Sequence, residues 1–432
     1  MACSRVIKTF PISAFSIFTS DVNIEKMPHL RKRYAEPALL KALSSSPLVG
    51  LLGHRQTGKT TLISELCDRY FSLDQKTERE SAEADPKKFL NRIKKGKTAH
   101  KVALDECQWV PDLFPALKDE VRLSKKPGQY LLSGSVRFTS KKAIRESLAG
   151  RITLLELLPF TLRELLGEPP STLFLELIQM ADFSGYRLPS ALPKSIQHER
   201  NKQIEKYLTH GGLPGICFIR KDNERSRRLN DLLDLILDRD LRQLVPTTLR
   251  QESIKKVLTT LALQQGEPLQ YQDLSRATRV SVPTLKKIIS ALESLFLIRQ
   301  LPLEGGRKGH IAYFEDQGEH QLLGAGKIQK AQLLEHYLWL QMRAQFIYSY
   351  EELPEFFQYR TRGGAIVPFA VRTQEGVLGF LWSPTEEPSL SLRYTAQSFL
   401  KTYSRGKIII AHPGSTWHKF SDRILIVPAS EF

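Results

Sequence analysis

Two hydrophobic rhythms alternate along this chain. Short apolar runs bounded by polar or glycine-bearing turns recur at "PLVGLL", at Val102 to Leu104 within "KVALDECQWVP", and at "QYLLSGSVRF". Runs of that length predict buried strands. Between and after them the apolar residues return every three or four positions. Leu62, Ile63, Leu66 and Tyr70 share one face of "TTLISELCDRYF", and Leu232, Leu233, Ile236 and Leu237 share one face of "LNDLLDLILDRDLRQL". Those stretches predict amphipathic helices. Farther on, Leu285, Ile288, Ile289, Leu292 and Leu295 form a helical stripe, followed by two strand-like runs around Gly305 and Gly306. Alternation in "AIVPFAV" and "KIIIAHP" predicts a further sheet. The succession reads as α/β.

At 432 residues the chain exceeds what one hydrophobic core organises, so two to four domains of roughly 100 to 200 residues each are expected. Hydrophobic residues at 41% and charged residues at 25% are ordinary globular values and argue against a long disordered region. Lys and Arg outnumber Asp and Glu by 63 to 46, a formal charge of +17, which makes a polyanion such as DNA the first partner to consider. A generally basic surface without a specific partner is the alternative. The four cysteines, Cys3, Cys67, Cys107 and Cys217, are scattered, with no C-x-x-C pair and no histidine at metal-ligand spacing. Pro11 and interleaved serines interrupt the mildly apolar start before it can form a signal or membrane span. A cytoplasmic protein without a membrane segment is expected.

Gly53, Gly58, Lys59 and Thr60 satisfy G-x-x-x-x-G-K-[ST], set between a predicted strand and a predicted helix. In that context the backbone N–H groups from Gly53 through His54, Arg55, Gln56, Thr57, Gly58, Lys59, Thr60 and Thr61 can wrap the phosphates of ATP. Lys59 would reach the outer phosphates, and the Thr60 hydroxyl would bind Mg²⁺. The strand at Val102 to Leu104 ends in Asp105 and Glu106. Asp105 suits the Mg²⁺ shell, and Glu106 suits the orientation or deprotonation of the attacking water. At the end of the third strand, Ser135 is either a sensor of the γ-phosphate or part of an ordinary Ser-Gly-Ser turn.

Taken in order, "GHRQTGKTTL", "YFSLDQKTERESAEADPKKFL", "LDECQWVPDLFPALK", "YLLSGSVRF", "SLAGRITLLELLPFTLREL" and "HGGLPGICF" resemble the motifs of a prokaryotic AAA-type ATPase family. In that family the ATPase core precedes a C-terminal region of unknown function, DUF4143. The resemblance implies an α/β fold in which a P-loop NTPase core of AAA type carries a helical lid, a winged helix-turn-helix and a C-terminal restriction-endonuclease-like α/β domain. The corresponding boundaries are an N-terminal extension at 1–30, the ATPase core at 31–187, the lid at 188–245, the winged helix at 246–320 and the nuclease-like domain at 321–432. It also implies that Arg151 stabilises charge at the γ-phosphate, in cis or on a neighbouring subunit of a homo-oligomer. An ion-paired surface arginine is the other reading.

Lys286 and Lys287 on the outward face of the second helix, with Arg307 and Lys308 at the wing tip, are the candidate DNA contacts. Packing against protein alone is the alternative use of such a unit. In the C-terminal domain the resemblance leads to a Glu-x-Asp strand and a Glu-x-Lys strand. The chain has Ala365, Val367 and Pro368 near the first and Gly379, Phe380 and Leu381 near the second. Without carboxylates the metal chemistry is lost, unless the acids are displaced to Glu351, Glu352 or Glu355. Pro368 lacks the N–H of a central strand, so its stretch is expected at an edge or a bulge. Arg360, Arg362, Arg393 and Lys401, with Tyr359 and Tyr394, are expected to make a basic aromatic surface.

Overall fold

The computed structural model describes residues 31–94, 101–124, 126–138, 150–349 and 354–432. Its first layer is a parallel sheet of five strands: β1 (Leu48–Leu52), β2 (Arg69–Ser72), β3 (Val102–Asp105), β4 (Tyr130–Gly134) and β5 (Thr153–Glu156), in the order β2-β3-β4-β1-β5. All five residues of β1 and of β4 are buried, which explains their unbroken apolar runs, since a parallel strand covered on both faces has no polar side. Helix Lys59–Leu66 leaves β1 through the glycine-rich loop. It stops at Leu66, one turn earlier than the hydrophobic period predicts. Cys67 is already extended, and Tyr70 belongs to β2. The β-prone aromatic pair Tyr70 and Phe71 is taken by the sheet, where β2 pairs with β3.

The second layer is an eight-stranded mixed sheet built from β6 (Ile298–Glu304), β7 (His310–Phe314), β8 (Glu355–Arg360), β9 (Ile366–Arg372), β10 (Val377–Trp382), β11 (Gly406–His412), β12 (His418–Ser421) and β13 (Ile424–Pro428). Their order is β12-β13-β11-β10-β9-β8-β6-β7. The hairpin β6–β7 is thus no free wing. Leu303 and Glu304 of β6 pair in parallel with Gln358 and Tyr359 of β8, so a boundary at residue 320 would cut a continuous sheet. Pro368 sits in an interior strand of this sheet, and the missing N–H is absorbed by an irregularity in the β8–β9 register between Phe357 and Tyr359.

Three helices, Gln251–Leu263, Tyr271–Thr278 and Val282–Ser294, precede the hairpin. The stripe Leu285, Ile288, Ile289, Leu292 and Leu295 is buried as its spacing requires. It shares one core with Leu232, Leu233, Ile236 and Leu237 of the segment before it. The preceding helix, Lys194–His210, instead places Ile204, Tyr207 and Leu208 in the core of the eight-stranded sheet. The segment expected to form one lid is therefore divided between two cores. Helix Asp222–Leu235 runs into a π-helical turn at Ile236–Leu241, a local widening often found at functional positions. No helix among the described residues is long and apolar enough to cross a membrane.

Candidate functional site

Parallel register sets the site. β1, β3 and β4 all end at one edge of the first sheet, which brings the loop after β1, the acids after β3 and the serines after β4 together. In the loop, Gly58 lies in the left-handed region at φ 89°, and a Cβ on Gly53 would come within 2.3 Å of the Leu157 carbonyl oxygen. Only glycine fits both places. Lys59 is buried, and its Nζ donates to the carbonyl oxygens of Gly53 at 2.9 Å and His54 at 2.8 Å. Burial lowers the Lys59 ammonium to about 8 despite the attraction of Glu106 and Asp105.

Thr60 Oγ1 donates to Asp105 Oδ2 at 2.7 Å. The same carboxylate accepts from Tyr70 Oη at 2.8 Å and from Ser133 Oγ. A hydroxyl and a buried carboxylate in contact are the hard oxygen donors that Mg²⁺ accepts, so these residues fit that ion. Glu106 follows in the left-handed region at φ 56°, a conformation that non-glycine residues rarely hold. Its N–H donates to Asp105 Oδ1 at 3.1 Å, while its own carboxylate accepts from Ser135 Oγ at 3.0 Å and from Gln108 Nε2. Gln108 also donates to Ser135 Oγ at 3.2 Å. The two adjacent acids are thereby separated into different hydrogen-bond environments, and Ser135 touches Glu106 rather than forming a bare turn.

Several side chains of the loop make contacts with residues far along the chain. His54 Nε2 lies 3.3 Å from Glu319 Oε1, both side chains being almost completely buried. Burial disfavours charge on His54, but Glu319 prevails and the imidazole is raised above its ordinary value. Arg55 makes a two-point contact with Asp240 of the π-helical turn, one arm at 2.9 Å. Gln56, at φ 61°, approaches Gly215 so closely that a Cβ there would stand 2.8 Å from Gln56 Oε1. Thr57 donates to the His54 carbonyl at 2.9 Å, and its own carbonyl accepts from buried Arg33. Thr61 is exposed on the first helical turn.

Arg151 does not reach this edge. Register pairs Thr153 with Val49 and Glu156 with Leu52, so Arg151 lies beyond the opposite end of β5. At ~3.3 Å per residue it stands roughly 20 Å along the sheet from the loop. This arrangement does not bring Arg151 to the loop of its own chain, which leaves action on a neighbouring subunit or the surface ion-pair reading.

Lys286 and Lys287 are exposed on helix Val282–Ser294, with Lys286 Nζ 5.6 Å from the Tyr271 ring centre. Arg307 and Lys308 are exposed in the β6–β7 turn. The expected C-terminal basic surface is partly internal: Tyr359 is buried, and Arg360 is buried against Glu267 at 2.7 Å. Arg362, Lys401 and Tyr394 remain exposed, and Arg393 stacks on Phe420 at 4.8 Å. Val367, Phe380 and Leu381 are core residues. A Cβ on Gly379 would meet Ile408 at 2.7 Å, Phe399 at 3.0 Å and Val367 at 3.1 Å. Glu355 is paired with Arg372 at 3.0 Å, while Glu351 and Glu352 lie outside the described residues.

Sequence reasoning did not find Arg33, Tyr70, Gln108, Asp240 or Glu319 as parts of the site, and it named Ser133 only within the run that ends at Ser135. Ser133 had a local signal, because it precedes Ser135 by one strand period and so shares its face. Gln108 reaches Glu106 from two residues away, whereas Arg33, Tyr70, Asp240 and Glu319 join the site through long-range folding.

Residues 45–166 match the AAA domain family. Within the matched stretch, the parallel sheet and the glycine-rich loop between β1 and helix Lys59–Leu66 make an α/β P-loop core. Residues 201–304 match a different domain of unknown function, DUF8612, rather than the DUF4143 region that the resemblance implied. Uncharacterised proteins of Mycobacterium tuberculosis and Mycobacterium bovis are each 26% identical over 425 residues, covering 93% of this chain and 84% of theirs. Among solved structures, a Walker-type ATPase of Pyrococcus abyssi is 16% identical, covers 67% of this chain and 94% of its own, and superposes with a TM-score of 0.37.

Proposed function

We propose that the chain is an ATP-hydrolysing switch or motor of AAA type that acts on DNA. The observation that carries the hydrolytic part is the separation of the two acids after β3. Asp105 shares a hydrogen bond with Thr60, and Glu106 is held apart by Ser135 and Gln108. In this reading Thr60 and Asp105 hold Mg²⁺, which supplies charge neutralisation on the phosphates when bound. The loop amides and Lys59 bind the phosphates, and Glu106 orients the attacking water and takes its proton. Ser135 and Gln108 position that carboxylate. Arg151 completes the charge stabilisation only from a neighbouring subunit, which makes a homo-oligomer part of the proposal.

The three helices and the hairpin form the winged helix of this reading, with Lys286, Lys287, Arg307 and Lys308 meeting phosphates and little sequence preference. The nuclease-like sheet would bind without cutting, because apolar side chains fill the places where its acids would stand. ATPase activity measured with and without double-stranded, single-stranded and branched DNA tests the proposal. Stimulation by one of them is expected. Turnover indifferent to every DNA form would shift the reading to a nucleotide-gated switch acting on protein partners.

A further inference from the structure

The phosphate loop is held by side chains from far along the chain, and one contact is of a kind that cannot be loosened locally. Glu319 lies in helix Gln317–Gly324 and is fully buried. Among the described residues its carboxylate has no hydrogen-bond donor, and its ion-pair partner is His54 at 3.3 Å. Separating a buried ion pair leaves a charge in a medium that cannot solvate it. Asp316, the residue that caps the same helix, accepts from the Gly212 N–H at 2.8 Å, so the Gly211–Gly215 loop that meets Gln56 is fastened to this helix too.

The backbone of His54 stands where the loop must respond to a phosphate. Its carbonyl accepts from both Lys59 Nζ and Thr57 Oγ1. Lys59 can reach an outer phosphate only by leaving the carbonyls of Gly53 and His54, whose hydrogen bonding must then be rearranged. Helix Gln317–Gly324 in turn follows β7 directly, and His320 Nε2 bonds the Ala262 carbonyl at 3.1 Å, in the first of the three helices.

We propose that Glu319 is a positioning residue for the nucleotide site: through His54 it ties the phosphate loop to helix Gln317–Gly324, so that nucleotide occupancy and the state of the three-helix and hairpin unit are linked. The linkage is reciprocal, so the unit that carries Lys286 and Arg307 acts back on nucleotide affinity. This inference rests on the ATP reading of the site.

Amide hydrogen exchange across Gln317–Gly324, with and without saturating ATPγS and Mg²⁺, tests it, with nucleotide Kd measured separately by fluorescence titration. In the wild type the nucleotide is expected to change exchange in this helix by about fivefold or more, and in Glu319→Gln by less than about twofold although nucleotide still binds. A merely structural role would change stability but leave the response to nucleotide intact. Unchanged exchange in a wild-type protein shown to bind ATPγS overturns the inference and spares the ATP reading, as does a full response in Glu319→Gln. Failure of the wild type to bind nucleotide at all removes both. Should Glu319→Gln not fold, His54→Gln takes its place, with the same outcomes deciding.

Discussion

Lys59, Asp105 and Glu106 illustrate how neighbouring charges acquire different tasks from their surroundings. Lys59→Ala is expected to abolish nucleotide binding or turnover, whereas Glu106→Gln should bind ATP normally and reduce hydrolysis at least 100-fold, the usual scale for a lost general base. Equal ATPase rates for Glu106→Gln and wild type would show that Glu106 is not the catalytic carboxylate. A second residue-scale expectation concerns Glu335, which burial raises to about 7 even though the Tyr313 hydroxyl at 2.8 Å and Arg360 favour its charge, with Glu267 adding repulsion. The folded chain keeps this proton through a pH range in which the unfolded chain, titrating near the ordinary 4.5, has released it. The carboxyl therefore lowers stability as pH rises from about 4.5 to 7, and the loss is complete above that window. Glu335→Gln should be the more stable protein at pH 8, by about 3 kcal/mol, with the difference vanishing near pH 4. Denaturant unfolding at the two pH values measures it, and a mutant equally destabilised at both would refute the assignment.

Elements are joined here by charge as well as by apolar cores. Glu156 at the end of β5 pairs with Arg299 of β6 and with buried Arg343 of helix Lys330–Ser349, while Arg137, just after β4, lies 3.6 Å away. Glu315, after β7, contacts both Arg299 at 3.1 Å and Arg343. Burial would raise the Glu156 carboxyl, but the guanidinium groups of Arg299, Arg343 and Arg137 overcome it and hold it well below the usual carboxylate range. Arg137 also places its backbone N–H on the Ser294 carbonyl at 2.8 Å, joining the segment after Ser135 to the end of the lysine-bearing helix. Glu156→Gln leaves Arg343 buried with one carboxylate fewer and should cost about 3–5 kcal/mol of stability at neutral pH. Because the folded pKa of Glu156 is depressed, its contribution is present above the unfolded value and disappears as pH falls. The gap between wild type and mutant should therefore narrow in acid. A pH-independent gap would mean that packing rather than charge is at stake.

At the scale of the whole molecule, a charge of +17 is expected to give binding to DNA that weakens steeply with salt. Replacing Lys286, Lys287, Arg307 and Lys308 by alanine should reduce affinity and flatten the salt dependence by about one unit of slope per lost phosphate contact. Unchanged binding would relocate the surface or remove DNA from the account. Supercoiled plasmid incubated with the protein in Mg²⁺ or Mn²⁺ should stay intact beyond contaminant background. Nicking that disappears on mutating Glu351, Glu352 or Glu355 would show that metal-binding acids had moved along the chain.

Local sequence determined the strand, loop and helix around Lys59, the acids at the end of β3 and the buried stripe at Leu285 to Leu295. Apolar period, glycine conformation and motif spacing act within a few residues, and no distant partner is needed to express them. Tertiary structure decided what short-range rules do not contain. Tyr70 left its helical period because β3 offered a strand to pair with. Arg151 has the residue type for its expected role, but its place on β5 is set by a register more than one hundred residues long, from Val49 to Thr153. The strand leading into the Arg307 turn joined an eight-stranded sheet through its pairing with β8. His54 and Arg55 read as ordinary loop positions until Glu319 and Asp240 are beside them, because a buried charge acquires its meaning from the partner that folding brings within reach.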